Sequence, residues 1–145
     1  MAWGLIYILD MKLTEKGKII PPIQLQEPME SVSRAVQSWE HIISATHWNL
    51  FSRNEPDGAD FYVFEQELGH IHLDGDLHLA TNLILQKALV ERGLARTFPY
   101  AQGWVNFMIR NPKDADHALW LFGLNYKRLM GESIDHILTD INSRS

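Results

Sequence analysis

The sequence predicts an α+β domain of two layers, a mainly antiparallel sheet with helices packed on it, and three observations carry that expectation. Between residues 60 and 79 and again over 103–110, short runs rich in Phe, Tyr, Val, Ile and Leu are punctuated by turn signals. Before, between and after them, apolar residues recur three and four positions apart, as on one face of a helix. The strands of the first group follow one another across tight turns instead of alternating with helices, which favours antiparallel neighbours. The chain has 145 residues, 46% of them hydrophobic, enough for one domain with a single core.

The elements follow in order. Residues 2–9 are apolar with Trp3, Leu5, Tyr7 and Leu9 alternating, a pattern that suits a short strand. No basic residue precedes them and no cleavage site follows, so no signal peptide is expected, and eight residues fall well short of the roughly 20 that span a bilayer. Met11 offers an alternative start. Residues 1–28, with Pro21, Pro22 and Pro28, read as an N-terminal extension, and 29–145 as a single domain. Residues 30–45 place Val32, Ala35, Val36, Trp39, Ile42 and Ile43 on one helical face and Arg34, Gln37, Glu40 and His41 on the other. Residues 53–58 combine Pro56 with Gly58 and predict a turn. Strands are expected over 60–65, 67–73 and 76–79, then a helix from Thr81 as cap to Gly93. A strand over 103–110 precedes a helix capped by Asn111, with Pro112 in its first turn and Gly131 at its end. Ser133 caps a final helix over 133–141, where Ile134, Ile137, Leu138 and Ile141 form a stripe.

The stretch with chemical content is the hairpin at 67–79. A two-residue loop at Asp74-Gly75 would mix polar and apolar side chains on both faces. A three-residue loop, Asp74-Gly75-Asp76, pairs Leu73 with Leu77, Ile71 with Leu79 and His72 with His78. It gathers four aliphatic side chains on one face, worth ~1.5–3 kcal/mol each on burial. His70, His72 and His78 then share the other face. Three neutral imidazoles there could hold Zn²⁺ or a similar divalent ion, with Asp74 or Asp76 as a further ligand. The plainer alternative is a partly exposed polar face without a ligand. Glu65 and Glu67, two apart, are a candidate carboxylate pair, and His117 and Trp120 are expected to be neighbours on one helix.

Other chemistry is excluded or unsupported. Cysteine is absent, which removes thiol catalysis, iron–sulfur clusters and disulfides and suits a reducing cytoplasm. Thirteen basic against eighteen acidic residues leave no reserve of positive charge for nucleic acid. A stripe of Arg92, Arg96, Arg110 and Arg128 would be needed to reverse that. No glycine-rich phosphate loop or nucleophile elbow is present.

The run Glu67-Leu68-Gly69-His70-Ile71-His72, the strand Gly103-Trp104-Val105-Asn106-Phe107-Met108-Ile109-Arg110 and the helix from Asp116 to Tyr126 resemble a bacterial and fungal domain family labelled luciferase. The likeness spans about residues 35–130. Members more often carry a histidine between the second helix and the Trp strand, where Thr97-Phe98-Pro99-Tyr100 keeps only the proline. No flavin- or luciferin-binding signature accompanies the label. A looser likeness to MmcQ/YjbR-type domains implies a double-winged arrangement, whose nucleic-acid binding the net charge opposes.

Three functions follow in order of preference. The first is a small cytoplasmic module binding a small molecule or protein, with Trp104, Tyr100 and Glu67 as ligand-contacting candidates. The second is a metal-dependent hydrolase using His70, His72 and His78. The third is nucleic-acid binding. No membrane partner is expected, and the apolar 2–9 segment makes a homodimer contact a candidate.

Overall fold

The computed structural model describes residues 11–52 and 54–144, so the strand expected over 2–9 lies outside the described residues. Among the described residues, six antiparallel strands form one sheet, and in chain numbering they lie in the order first, second, third, fourth, sixth, fifth. They are β1 (Ile42–Trp48), β2 (Pro56–Val63), β3 (Gln66–His72), β4 (Asp76–Leu79), β5 (Arg96–Thr97) and β6 (Val105–Met108). Among the described residues four α-helices accompany them, α1 (Met29–Gln37), α2 (Leu83–Glu91), α3 (Pro112–Leu129) and α4 (Ile134–Ser143), with a 3-10 turn at Leu13–Glu15. The α+β expectation therefore holds. None of the described helices is long and apolar enough to cross a membrane.

The core lies between the helices and one face of the sheet. Phe61, Leu68, Ile71, Leu77, Leu79 and Val105 from the strands meet Val32, Val36, Leu121, Phe122 and Ile137 from the helices, and Phe61 and Phe122 pack edge to face. The helix boundaries follow local chemistry. Asn111 Oδ1 accepts from the Asp114 N–H with Pro112 in the first turn, and Ser133 Oγ accepts from His136. Asn82, not Thr81, caps α2 by accepting from the Leu85 N–H, while the Thr81 hydroxyl donates to the Gly103 carbonyl. Asn125, fully buried on α3, ties the layers together by donating to the carbonyls of Leu68 and Ala80.

Three expectations are corrected. The helix expected over 30–45 ends at Gln37, and 42–48 is a strand. Trp39 and Ile42 have the helical spacing, but the helix closes at Gln37 with Ser38 as its cap, His41 beyond it takes φ 65, outside the helical region, and Ile42, Ile43 and Thr46 are β-branched residues suited to the strand that follows. The strand expected over 60–65 begins earlier, at Pro56, within the segment read as a turn, and stops at Val63. The β3–β4 loop has three residues, as expected, but they are Leu73-Asp74-Gly75. His70 therefore faces His78, Ile71 faces Leu77, and Leu73 is half exposed instead of joining the core. Gly75 decides this register. At φ 94 it takes the left-handed third position that a three-residue hairpin loop demands, where Asp76 could not comfortably sit.

Candidate functional site

The side of the sheet away from the core carries two rows of residues. Ala45, Asp60, His70, His78 and Asn106 align across five strands, and His47, Gly58, His72 and Asp76 form the next row. Gly58 is glycine of necessity, because a Cβ there would lie 2.0 Å from the Ile71 carbonyl oxygen. Its missing side chain also lets the rings of His47 and His72, on either side of it, come to 5.1 Å. A bulge brings in one further residue. Phe61 pairs with Gly69 but Tyr62 with Glu67, leaving Leu68 as the extra residue of β3. The alternation reverses there, so Glu67 joins His70 on the site face while Leu68 turns into the core.

Carboxylates back three of the imidazoles. His70 Nδ1 is 2.6 Å from Glu67 Oε2, His78 Nε2 is 2.9 Å from Asp76 Oδ2, and His72 Nδ1 is 3.6 Å from Asp57 Oδ2. Where its carboxylate is ionised and only accepts, each of these nitrogens carries the hydrogen of a neutral ring. The lone pairs are then left on His70 Nε2, His72 Nε2 and His78 Nδ1. His78 Nδ1 lies 3.1 Å from His70 Nε2 and 3.2 Å from His72 Nε2. Asp76 is itself held by Asn106, and Asp74 caps the loop by accepting from the Asp76 N–H. Of the two aspartates considered as extra ligands, one thus supports His78 and the other supports the turn.

Behind this triad lies a buried charged cluster. His47 stacks on His70 with ring centroids 4.1 Å apart and bonds Asp60 Oδ1 through Nδ1 at 2.8 Å. Lys16 Nζ sits 2.7 Å from Glu67 Oε1 and 3.1 Å from Asp60 Oδ1. Burial opposes charge on Lys16, yet Glu67 and Asp60 outweigh it and hold the ammonium above its ordinary range. Burial likewise pushes the Asp60 carboxyl up, but the hydrogen bond from His47 and the charge of Lys16 bring it below the usual carboxylate range. Burial dominates at Glu67, which is pushed up. His70 is held well below the usual imidazole range, first by burial and then by the charges around it, and burial lowers His78 too. His72 is raised, because its hydrogen bond and charge interactions with Asp57 overcome burial. Two buried carboxylate oxygens, Asp57 Oδ1 and Asp60 Oδ2, have no hydrogen-bond partner among the described residues, although His47 Nε2 approaches the former at 3.4 Å.

The cluster opens into a pocket of about 320 Å³. Phe98 stands 4.2 Å from the His78 ring, Trp104 stands 6.1 Å from the His70 ring, and Tyr100 forms the outer wall. Trp104 is buried and Tyr100 is half exposed. The structure thus brings together His70, His72, His78, Glu67, Tyr100 and Trp104, all expected from the sequence. Glu65 stands apart from Glu67 in the exposed β2–β3 turn, so the carboxylate pair does not form. Lys16, His47, Asp57, Asp60 and Phe98 were missed. Reading 42–48 as a strand would have aligned His47 with the site, whereas Lys16 has no local signal.

The remaining candidates lie elsewhere. His117 stacks on Trp120 as expected and bonds the Leu94 carbonyl. The four arginines are spread out: Arg92 donates to the Arg144 carbonyl and Arg128 to the Ala80 carbonyl, while Arg96 and Arg110 line a cleft with Asp76 and Asp114.

Residues 65–125 match the family model described as Luciferase domain, a segment that holds the β3 and β6 motifs. The matched stretch contains the three-histidine face and the aromatic wall. Lys16, His47, Asp57 and Asp60 fall outside it. No curated protein and no solved structure matches the chain.

Proposed function

We propose that this domain binds one divalent transition metal of the zinc class through His70, His72 and His78, in a pocket that also receives a small organic molecule. The carrying observation is that His70 Nε2 and His78 Nδ1, each on the side of its ring away from the backing acid, face one another at 3.1 Å. Two lone pairs at that distance repel unless an electrophile lies between them. Nitrogens bound to a tetrahedral zinc at about 2.0–2.1 Å stand roughly 3.3 Å apart, close to the separations from His78 to its two neighbours. Carboxylates on the far nitrogens, as at zinc-bound histidines generally, fix each ring's orientation and raise its basicity. The partnerless oxygens of Asp57 and Asp60 make the surroundings negative, which suits a cation. The histidines whose ligand atoms all lie within 4.8 Å of one another are His47, His70 and His72, and His78 adds a nitrogen 3.1 and 3.2 Å from those of His70 and His72. The aromatic wall of Phe98, Tyr100 and Trp104 supplies apolar surface for an organic ligand, and the pocket volume falls at the lower end for small-molecule sites.

Three imidazole ligands would leave a zinc ion one short of four, the arrangement of catalytic rather than structural zinc, so metal-assisted hydrolysis is the second reading. The test is metal content of untagged protein by inductively coupled plasma mass spectrometry, followed by titration with Zn²⁺, Co²⁺ and Ni²⁺. Close to one equivalent, lost in a His70→Ala/His72→Ala/His78→Ala variant, is expected. Metal-free protein with no affinity for any of the three ions would overturn the metal reading.

A further inference from the structure

An ammonium buried beside a metal site needs a reason. Lys16 comes from the segment before α1, is only 7% exposed, and packs its Nζ 5.0 Å from the centre of the Tyr62 ring. Asp60, Glu67 and His70 bring ligand-capable atoms within 4.8 Å of one another, close enough to share one cation. The cation found there is Lys16.

Its presence changes the donors that an incoming metal meets. Mg²⁺, Ca²⁺ and Mn²⁺ favour oxygen ligands, whereas Zn²⁺, Ni²⁺ and Cu²⁺ suit imidazole. Asp60 and Glu67 beside three histidines would otherwise make a mixed oxygen and nitrogen site. With Lys16 in place, Glu67 Oε1 is bonded to the ammonium and Oε2 to His70, and Asp60 Oδ1 is shared by the ammonium and His47. Of these four oxygens only Asp60 Oδ2 has no partner among the described residues. One oxygen is far from the set of about six that a hard divalent ion needs.

We propose that Lys16 is the metal-selecting residue of this site: its ammonium holds the cation position between Asp60 and Glu67, so an entering metal meets imidazole nitrogens and oxygen-preferring ions are refused. The inference rests on the proposed metal site. Lys16 touches no metal in this scheme and is a positioning residue acting through the two carboxylates.

The test compares Zn²⁺ and Mn²⁺ binding to the full chain and to Lys16→Met, Lys16→Gln and Lys16→Arg. Calorimetry gives the affinities, and loss of the free Mn²⁺ signal in electron paramagnetic resonance counts bound manganese independently. The native chain is expected to prefer Zn²⁺ strongly, and Lys16→Met and Lys16→Gln to gain Mn²⁺ affinity by about tenfold or more. Lys16→Arg, which keeps the charge, should retain the native order. An unchanged Zn²⁺-to-Mn²⁺ ratio in a folded Lys16→Met or Lys16→Gln protein overturns the selector role, as does a native chain that binds both ions equally. Failure of the native chain to bind Zn²⁺ at all defeats the metal site instead, and that is a separate readout.

Discussion

His70 and His78 face each other directly across β3 and β4, and their nearest ring nitrogens stand 3.1 Å apart. The backbone register puts them there, so the approach does not depend on a flexible loop. Each ring is held from behind by an acid, which makes those acids sensitive probes of the site.

Asp76→Asn removes the negative charge behind His78 and puts an amide that can also donate where a carboxylate only accepts, so hydrogen is no longer held on His78 Nε2. Zinc affinity is expected to fall by about 10–100-fold, the usual effect of losing such a partner. Competition with a chromophoric chelator measures it. Asp76 is half-buried at the end of a strand, so urea unfolding of the metal-free variant should stay near that of the native chain.

The depressed His70 gives the metal-free protein a defined pH response. Burial and the neighbouring charges hold its folded-state pKa well below the ordinary imidazole value of 6.5, so between the two the unfolded chain binds a proton that the folded chain refuses. Stability contributed by neutral His70 is therefore present above pH 6.5 and lost as pH falls below it. Urea midpoints at pH 7.5, 6.0 and 5.0, with chelator present, should decline, and His70→Gln should flatten the decline. A His70→Gln slope equal to the native one would contradict this assignment.

Gly58→Ala places a Cβ 2.0 Å from the Ile71 carbonyl oxygen, and neither strand can move without breaking its pairing. A loss of about 2–4 kcal/mol is expected by chemical denaturation, large for so small a change. The same substitution at Gly93, where a Cβ meets nothing within 4 Å but φ is 69, should cost only about 1 kcal/mol through backbone strain.

Asn125→Ala leaves the carbonyls of Leu68 and Ala80 without that amide donor and takes Oδ1 from Arg128. Each carbonyl keeps one donor, the Ala80 N–H for Leu68 and the Arg128 guanidinium for Ala80, so only the net worth of the lost bonds and the vacated volume is forfeited, and a destabilisation of about 1–2 kcal/mol is expected. Leu68 is the bulged residue that sets Glu67 on the site face. Weakened zinc binding should therefore accompany the stability loss.

Much of this arrangement was legible in the sequence. The aliphatic residues Ile71, Leu77 and Leu79 could be satisfied only by an odd-numbered loop, which sent all three hairpin histidines to the opposite face. Caps at Asn111 and Ser133 were equally plain, because a side-chain oxygen next to the first turn has one obvious use. The illegible parts are those that depend on partners distant in the chain. Ile42 and Ile43 fit a helix by spacing, although the helix closes at Gln37 and a left-handed His41 separates it from the strand they belong to. The bulge at Leu68 is invisible to a simple alternation rule. Lys16 lies 44 and 51 residues from the acids it meets, and a lysine in a proline-rich leader reads as solvated until the fold closes over it.

The division of labour between neighbouring positions in β3 and β4 bears on how such a chain can diverge. His70, His72 and His78 can each be exchanged by a single codon change without touching Ile71, Leu77 or Leu79, so the pocket's chemistry is open to gradual replacement while the core persists. Loss or gain of one codon between 70 and 79 has no such gradual route. It would carry imidazoles into the apolar layer and aliphatics onto the pocket wall together, and inheritance of the hairpin should tolerate substitution far better than changes in length.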